Sequence, residues 1–311
     1  MRIAALDIGG TAIKSGIWDG SGLTELQEWD THAAEGAASL MERVKMILHG
    51  YGKFDAIGIS TAGQVNTETG SICYANDNIP GYTGMPVREI LEKEFGVLAV
   101  VENDVNAAAL GEMYCGAAKG LENFLCLTYG TGVGGAIVMD GRIRAGANYG
   151  GGSFGGILVH PEDSRPGDVW SGCYERYASV TALVRKTKKI DAGLDSGRRI
   201  FEAFGQEAVR KAVDEWIDEI VYGLVTLVYV FNPSHILLGG GIMAQPYIME
   251  EIPKRLVLHV TPIMRDVCIR GASLGNTAGL AGISALACGR LGNPGQPGDL
   301  CVSRSGAKDR A

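Results

Sequence analysis

Apolar runs separated by glycine-rich turns set the rhythm of the chain. Ile3-Ala4-Ala5-Leu6 and Ile13 to Trp18 flank Asp7-Ile8-Gly9-Gly10-Thr11, and Asp19-Gly20-Ser21-Gly22 closes the unit. This pattern predicts a β-hairpin with a glycine-rich bend. Residues 126–141 lie over residues 5–20 without a gap, with Leu127 on Leu6, Thr128 on Asp7, Gly130 on Gly9 and Asp140 on Asp19. The same hairpin therefore occurs twice.

Further elements follow from the periodicity. A third strand is expected near Leu23 to Trp29. A helix is expected from Ala37 to His49, with Ala38, Met41, Val44, Lys45 and Leu48 on one face. Ala56 to Ser60 reads as a short buried strand ending in the loop Thr61-Ala62-Gly63-Gln64, and ligands bind at that end of open α/β sheets. Val87, Ile90, Leu91 and Phe95 mark a helix that stops at Gly96. The strand Leu98 to Val101 runs into Glu102-Asn103-Asp104-Val105-Asn106 ahead of a small-residue helix over 107–115. Ala145 to Gly156 reads as a flexible loop, with the glycine-rich run Gly150 to Gly156 in it, that a ligand can order. Another helix is expected to start within Trp170 to Ser179, and Lys186 to Gly197 reads as a polar surface excursion. The longest helix runs from about Gln206 to Phe231, its apolar face formed by Val209, Val213, Trp216, Ile217, Ile220, Val221 and Leu224, with Asn232-Pro233 ending it. His235 to Leu238 is a buried strand emptying into Gly239-Gly240-Gly241, where a flat ligand can lie close to the backbone. Asn276 to Ala287 is a final helix, and the Gly, Pro and Ser content beyond Arg290 reads as a frayed tail.

Length and charge narrow the picture. A chain of 311 residues accommodates two domains, which the repeated hairpin also suggests. The net charge of −7, with Lys186 to Lys189 the one basic cluster, argues against nucleic acid and leaves a small molecule as the expected ligand. The seven cysteines are scattered and unpaired in sequence, and no secretory leader precedes Arg2, so reduced thiols in a cytoplasmic protein are expected. Ile220 to Phe231, the longest apolar run, is too short to span a bilayer, and no membrane association is expected.

The first bend has chemistry as well as shape. Gly9 and Gly10 admit close approach of a bound group, Thr11 offers a hydroxyl, Lys14 a cation, and Asp7 a carboxylate able to hold magnesium through water. A plain turn explains one such bend; its repetition points to a ligand held by paired loops. Likewise, an N-cap accounts for one polar residue of Glu102 to Asn106, not for all of them.

Asp7-Ile-Gly-Gly-Thr, Glu102-Asn-Asp-Val-Asn-Ala-Ala-Ala-Leu-Gly-Glu112, Leu127-Thr-Tyr-Gly-Thr-Gly-Val-Gly-Gly135 and Leu237-Leu-Gly-Gly-Gly241 together resemble, in order, the signatures of the ROK family of bacterial sugar kinases and repressors within the actin-like ATPase superfamily. Residues 79–112, from Ile79-Pro-Gly-Tyr onward, are also similar, and the resemblance covers about residues 1–290. It implies an α/β fold of two RNase H-like domains with ATP in the cleft between them. The smaller is expected over residues 1–115, completed by a helix at 276–289, the larger over 116–275, with a tail at 291–311. By resemblance Gly9, Gly10 and Thr11 touch the phosphates from one side and Gly130, Thr131 and Gly132 from the other, Gly239, Gly240 and Gly241 flank the adenosine, and Asp7 sits near the metal. Asp104 is the expected general base, with Asn103 and the backbone of Gly63 binding neighbouring sugar hydroxyls. The expected cofactors are ATP and Mg²⁺, and the expected assembly is a homodimer.

The chain also departs from that pattern. Where many members carry Gly-Glu-x-Gly-His, it has Gly152-Ser153-Phe154-Gly155-Gly156, so Ser153 replaces a sugar-gripping Glu and Gly156 a His. Of the cysteine motif for zinc only Cys173 survives, with Pro166 and Asp168 at the first two cysteine positions, and no zinc is expected. Glu175 matches a sugar-contacting Glu of the family, although a glutamate on a helix surface is equally often just solvated. Because pockets built around particular hydroxyls discriminate by roughly 10⁴, the changes at Ser153 and Gly156 are expected to alter the sugar or to abolish turnover. The favoured reading is ATP-dependent phosphorylation of a hexose or hexoside, on the C6 hydroxyl. The alternative is a noncatalytic sugar- and nucleotide-binding protein with a regulatory role. Since the first strand begins at Arg2, the helix-turn-helix of the family's repressors is not expected, and an ATPase of the chaperone or actin kind fits Glu102 to Asn106 less well.

Overall fold

The computed structural model describes residues 1–292. The described residues form two compact units, one of Met1–Tyr114 with residues 276–292, the other of Cys115–Gly275. In the first, β1 (Ile3–Ile8), β2 (Ala12–Trp18) and β3 (Leu23–Asp30) form an antiparallel meander, followed by α1 (Gly36–Gly50), β4 (Ala56–Thr61), the small ribbon β5 (Gln64–Asn66) and β6 (Ser71–Tyr74), α2 (Val87–Phe95), β7 (Leu98–Asn103) and α3 (Asp104–Cys115). The main sheet has the order β3-β2-β1-β4-β7, with β1, β4 and β7 parallel.

The second unit repeats this arrangement. It contains β8 (Phe124–Tyr129), β9 (Val133–Met139), β10 (Arg142–Ile143), α4 (Glu175–Ala178), α5 (Val180–Thr187), α6 (Gly197–Glu202), α7 (Glu207–Phe231), β11 (His235–Gly239), α8 (Pro246–Leu256) and β12 (Cys268–Gly271). Its sheet order is β10-β9-β8-β11-β12, the first three antiparallel and the last three parallel. The repeated hairpin of the sequence is thus the centre of two sheets of the same topology.

One element of the first unit comes from the far end of the chain. Helix α9 (Ala278–Gly292) covers the face of the sheet opposite α1 and α2, where Leu280, Ile283 and Ala287 pack on Ile3, Ala5, Val100 and Ala107. It also meets α3 backbone to backbone. A Cβ placed on Gly282 would lie 1.8 Å from the Ala107 carbonyl oxygen, and one on Gly111 would lie 2.2 Å from that of Ala278. Only hydrogen fits at that crossing.

Several expected boundaries move. The buried stripe of α1 is Ala37, Leu40, Met41, Val44, Ile47 and Leu48, so Ala38 is exposed and Lys45 only flanks the core. Helix α3 begins at Asp104, three residues before the expected start, because the Asn103 side chain caps it. Residues 170–174 are turns around a single bridge from Cys173 to Leu158, and the helix expected there is the short α4, separated from α5 by Ser179, whose hydroxyl accepts from the Ala182 amide at 3.2 Å. Lys186 and Thr187 finish α5, and Leu194 anchors the following loop in the core. Leu291 and Gly292 continue α9; the rest of the tail expected over 291–311 lies outside the described residues. No helix among the described residues is long and apolar enough to cross a membrane.

Candidate functional site

In the first unit the chemistry gathers at the carboxyl ends of the parallel strands. Register aligns Asp7 with Ser60 and Ser60 with Glu102, and one step on aligns Ile8 with Thr61 and Thr61 with Asn103. The bend after β1 is fastened by Gly9 N–H donating to the Ala12 carbonyl at 2.9 Å and by Thr31, whose hydroxyl donates to the Gly9 carbonyl at 2.7 Å and whose amide donates to Thr11 at 2.9 Å. Gly10 and Thr11 are left exposed at its tip, and Lys14 stands opposite Asp7 across the hairpin. The Ser60 hydroxyl donates to Asp7 Oδ1 at 2.5 Å. Burial raises the Asp7 pKa, against the lowering effects of Ser60 and Lys14.

Asn103 and Asp104 occupy the strand-to-helix corner. Asn103 Oδ1 caps α3 by accepting from the Val105 and Asn106 amides at 3.0 and 3.1 Å. Its Nδ2 donates to the Gly63 carbonyl and to Asp104 Oδ1, both at 2.9 Å. Gly63, Asn103 and Asp104 are therefore one connected group. Desolvation, then the neighbouring Asp7 charge, pushes Asp104 up to about 6, despite hydrogen bonds from the Val105 amide and Asn103. Below the corner, buried Glu102 accepts from the Asn103 amide at 2.9 Å and from Asn106 Nδ2 at 3.0 Å.

The second unit carries the other loops. Gly130 N–H donates to the Gly132 carbonyl at 3.0 Å, and the Gly130 carbonyl accepts from the Val180 amide at the start of α5 at 2.9 Å. Thr131 is exposed at the tip. After β11, Gly240 has φ +107°, and a Cβ there would lie 2.1 Å from the Tyr129 carbonyl oxygen, so Gly239 and Gly240 pass directly against the end of β8 at the base of the Gly130–Gly132 loop, while Gly241 faces open space. Beside them opens a cavity of about 950 Å³ lined by Gly130, Thr131, Arg198, Gly241, Ile242 and Gln245, among others. Its α5 and α6 residues carried no sequence signal, since their neighbours in space lie some tens of residues away along the chain.

Glu175 opens α4 and turns toward this loop. A Cβ on Gly132 would come within 2.6 Å of Glu175 Oε2 and one on Gly155 within 3.0 Å, and the Val133 amide donates to the same oxygen at 3.5 Å. Two glycines make room for this carboxylate, which is half-buried rather than solvated. The Gly150–Gly156 segment is held by Phe154, whose buried ring stands 5.9 Å from Phe231. Ser153 and Gly156 remain exposed, with open space where a Gly156 side chain would be. Cys173 is buried, Pro166 and Asp168 are exposed, and no group of three or more His, Cys, Asp or Glu that could hold a metal occurs among the described residues.

Residues that the sequence did not single out complete the site. Thr31 holds the first bend and Ser60 holds Asp7; a hydroxyl at a buried strand end was the available signal.

The two sheets, each presenting a hairpin bend at the ends of parallel strands, are those of the actin-like ATPase fold. The chain belongs to the ROK family, whose match extends over residues 3–290. It is 32% identical to a beta-glucoside kinase of Listeria innocua, covering 91% of this chain and 96% of that protein. It is 33% identical to a glucokinase of Halalkalibacterium halodurans, covering 89% and 92%. The solved structure of a ROK family glucokinase from Streptomyces griseus in complex with glucose and AMPPNP superposes with a TM-score of 0.80 at 29% identity, covering 92% of this chain and 99% of that one.

Proposed function

We propose that this protein transfers the γ-phosphoryl group of ATP to a hydroxyl of a hexose or hexoside, at C6, with Asp104 as the general base. It is an ATP-dependent sugar kinase. The observation that carries the finer reading is the Asp104 corner, where a carboxylate lifted to about 6 is aimed by Asn103 and the Val105 amide. Such a group is ionised at neutral pH yet basic enough to take a proton as the hydroxyl attacks. Asn103 and the Gly63 backbone would bind adjacent hydroxyls, as would Glu175 and Ser153. The bends at Gly9–Thr11 and Gly130–Gly132 would receive the phosphates, with Lys14 adding positive charge, and Gly239–Gly241 would flank the adenosine.

Magnesium fits the donors present. Asp7 is a carboxylate held against burial and within electrostatic reach of Asp104, and a cation beside it relieves both. Asp7 would hold the ion through water, and the ion would neutralise charge developing on the transferred phosphoryl. The Ser60 hydrogen bond orients Asp7 for that role.

An ADP-release assay with glucose, mannose, N-acetylated hexosamines and β-glucosides tests the reading. The open space at Gly156 favours acceptors with a substituent, so β-glucosides are expected to be turned over alongside glucose. Release with none of them would leave the noncatalytic, regulatory alternative. The base assignment predicts a second result. Because Asp104 must be ionised, kcat/KM should rise with pH along an acid limb whose inflection lies near 6. With both substrates below saturation, so that the free enzyme is the reference state, an acid limb bending near 4 would remove the assignment.

A further inference from the structure

His160 lies outside the groups considered so far, and its surroundings are unusual for a surface histidine. Its Nδ1 is 2.8 Å from Glu162 Oε1 and its Nε2 is 2.8 Å from Glu219 Oε2 on α7. An ionised carboxylate only accepts, so both contacts are hydrogen bonds when both ring nitrogens carry protons, that is, when the ring is an imidazolium. The ring also lies against Tyr177 of α4, the two ring centres 4.1 Å apart and their planes tilted by 35°, and the Tyr177 hydroxyl donates to Asp163. The charged and titratable groups around the imidazole are thus Glu162 and Asp163 on its own segment, Glu219 on α7, and Tyr177 on α4, with Tyr174 also feeling Glu219.

The backbone around His160 is the neck of a long loop. The Val159 and His160 amides both donate to the Gly172 carbonyl at 3.0 Å, and the Tyr174 amide donates to Ile157 at 2.7 Å, while residues 161–170 are all exposed. One side of this neck leads back to Phe154–Gly156. The other leads through Tyr174 to Glu175, the carboxylate packed against Gly132 and Gly155. Tyr174 is itself fixed to α7, its hydroxyl donating to the Ile220 carbonyl at 2.7 Å. The contact from His160 to Glu219 is a second side-chain link between this segment and α7, beside that of Tyr174.

We propose that the His160 imidazolium, bridging Glu162 and Glu219, is a positioning group that pins the 157–175 segment to α7 and thereby sets Glu175 and the Ser153–Gly156 turn to receive the sugar. The inference rests on the kinase reading for its last step. It carries a pH dependence of definite sign. Burial lowers the His160 pKa, but the hydrogen bonds to Glu219 and Glu162 outweigh it and leave the group above the ordinary imidazole value. The bridge is therefore fully present below that ordinary value, about 6.5, and is lost as pH rises through the folded-state value. Sugar binding should weaken on the alkaline side.

The test has two arms. In the first, hydrogen-exchange protection of the Val159, His160 and Val133 amides, corrected for intrinsic rates, is compared at pH 6 and pH 9. Wild type should lose about tenfold, as expected for one charge-assisted hydrogen bond. His160→Gln and Glu219→Gln should show the lowered protection already at pH 6. Equal protection in wild type at both pH values, or variants as protected as wild type at pH 6, overturns the bridge. In the second arm, with glucose and methyl β-glucoside, both variants should raise KM for the sugar while kcat and KM for ATP stay near wild type, and the alkaline rise in sugar KM should vanish in His160→Gln. Changed protection with an unchanged sugar KM overturns the positioning role. If wild type phosphorylates neither sugar, the acceptor that serves in the wider panel replaces them in this arm; if none serves, the kinase reading fails by itself, and the exchange arm still decides the bridge.

Discussion

Asp104→Asn should lower kcat by about 10²–10⁴-fold, the usual worth of a general base, with the affinity for sugar nearly retained. The amide preserves the local geometry: its oxygen can still accept from Asn103 Nδ2 and the Val105 amide, which now lie 2.9 Å from Asp104 Oδ1. What disappears is the ability to take a proton. The variant should also be more stable than wild type. A carboxyl whose folded-state pKa is about 6 against 3.8 for the free group binds its proton more tightly in the folded state. Stability is therefore lost as pH rises from about 4 to 6, and at neutral pH the ionised group costs on the order of 2–3 kcal/mol. Asparagine removes that cost, so the inactive variant should melt higher at pH 7 and lose the difference below pH 4. Isothermal titration with sugar and thermal melts at the two pH values check both halves. Near-normal turnover, or a lower melting temperature at pH 7, would refute the assignment.

Gly282→Ala should be the most damaging conservative change in the first unit. Its Cβ would sit 1.8 Å from the Ala107 carbonyl oxygen and 2.6 Å from the Gly111 nitrogen. Both are helix backbone and cannot rotate away, unlike a side chain, so α3 and α9 must separate. The intrinsic helix preference for Ala over Gly favours the substitution by about 1 kcal/mol, while overpacking costs about 3 kcal/mol or more where nothing can yield. The clash wins. Gly50→Ala provides the control, since Gly50 ends α1 with open space around it and should be neutral or slightly stabilising. Urea denaturation of the two variants separates these outcomes; a Gly282→Ala protein as stable as the control would show that the helices can part without cost.

Much of this architecture was legible because its signals are local. The bend Asp7 to Thr11 and its copy at Thr128 to Gly132 are short, glycine-marked and flanked by apolar runs, and each follows the central strand of a five-stranded sheet. The corner at Asn103 and Asp104 was legible as a place where a strand passes into a helix without a linker, while the base role of Asp104 came from the family resemblance. Features made by distant residues were not. Ala38 fits a helical stripe as well as Leu40 does on spacing alone, and the core it must face decides between them. Helices α4 and α6, four and six residues long, are too short to show a period. Glu175 was equally a solvated or a bound carboxylate until the absence of side chains at Gly132 and Gly155 showed where it fits. His160 and Glu219 are 59 positions apart, and nothing in the sequence couples them.

Helix α9 gives the first unit a schedule as well as a core. Ile3, Ala5, Val100 and Ala107 leave the ribosome early, yet Leu280, Ile283 and Ala287, which cover them, are made only after the whole of the second unit. At 5–20 residues per second, that interval is on the order of ten to thirty seconds. Until then one face of the sheet that carries Asp7 lies uncovered, and α3 lacks the backbone against which Gly111 packs. A nascent chain therefore cannot present a finished Asp104 corner before the second unit has been synthesised, and an unfinished chain exposes a sticky sheet rather than half an enzyme.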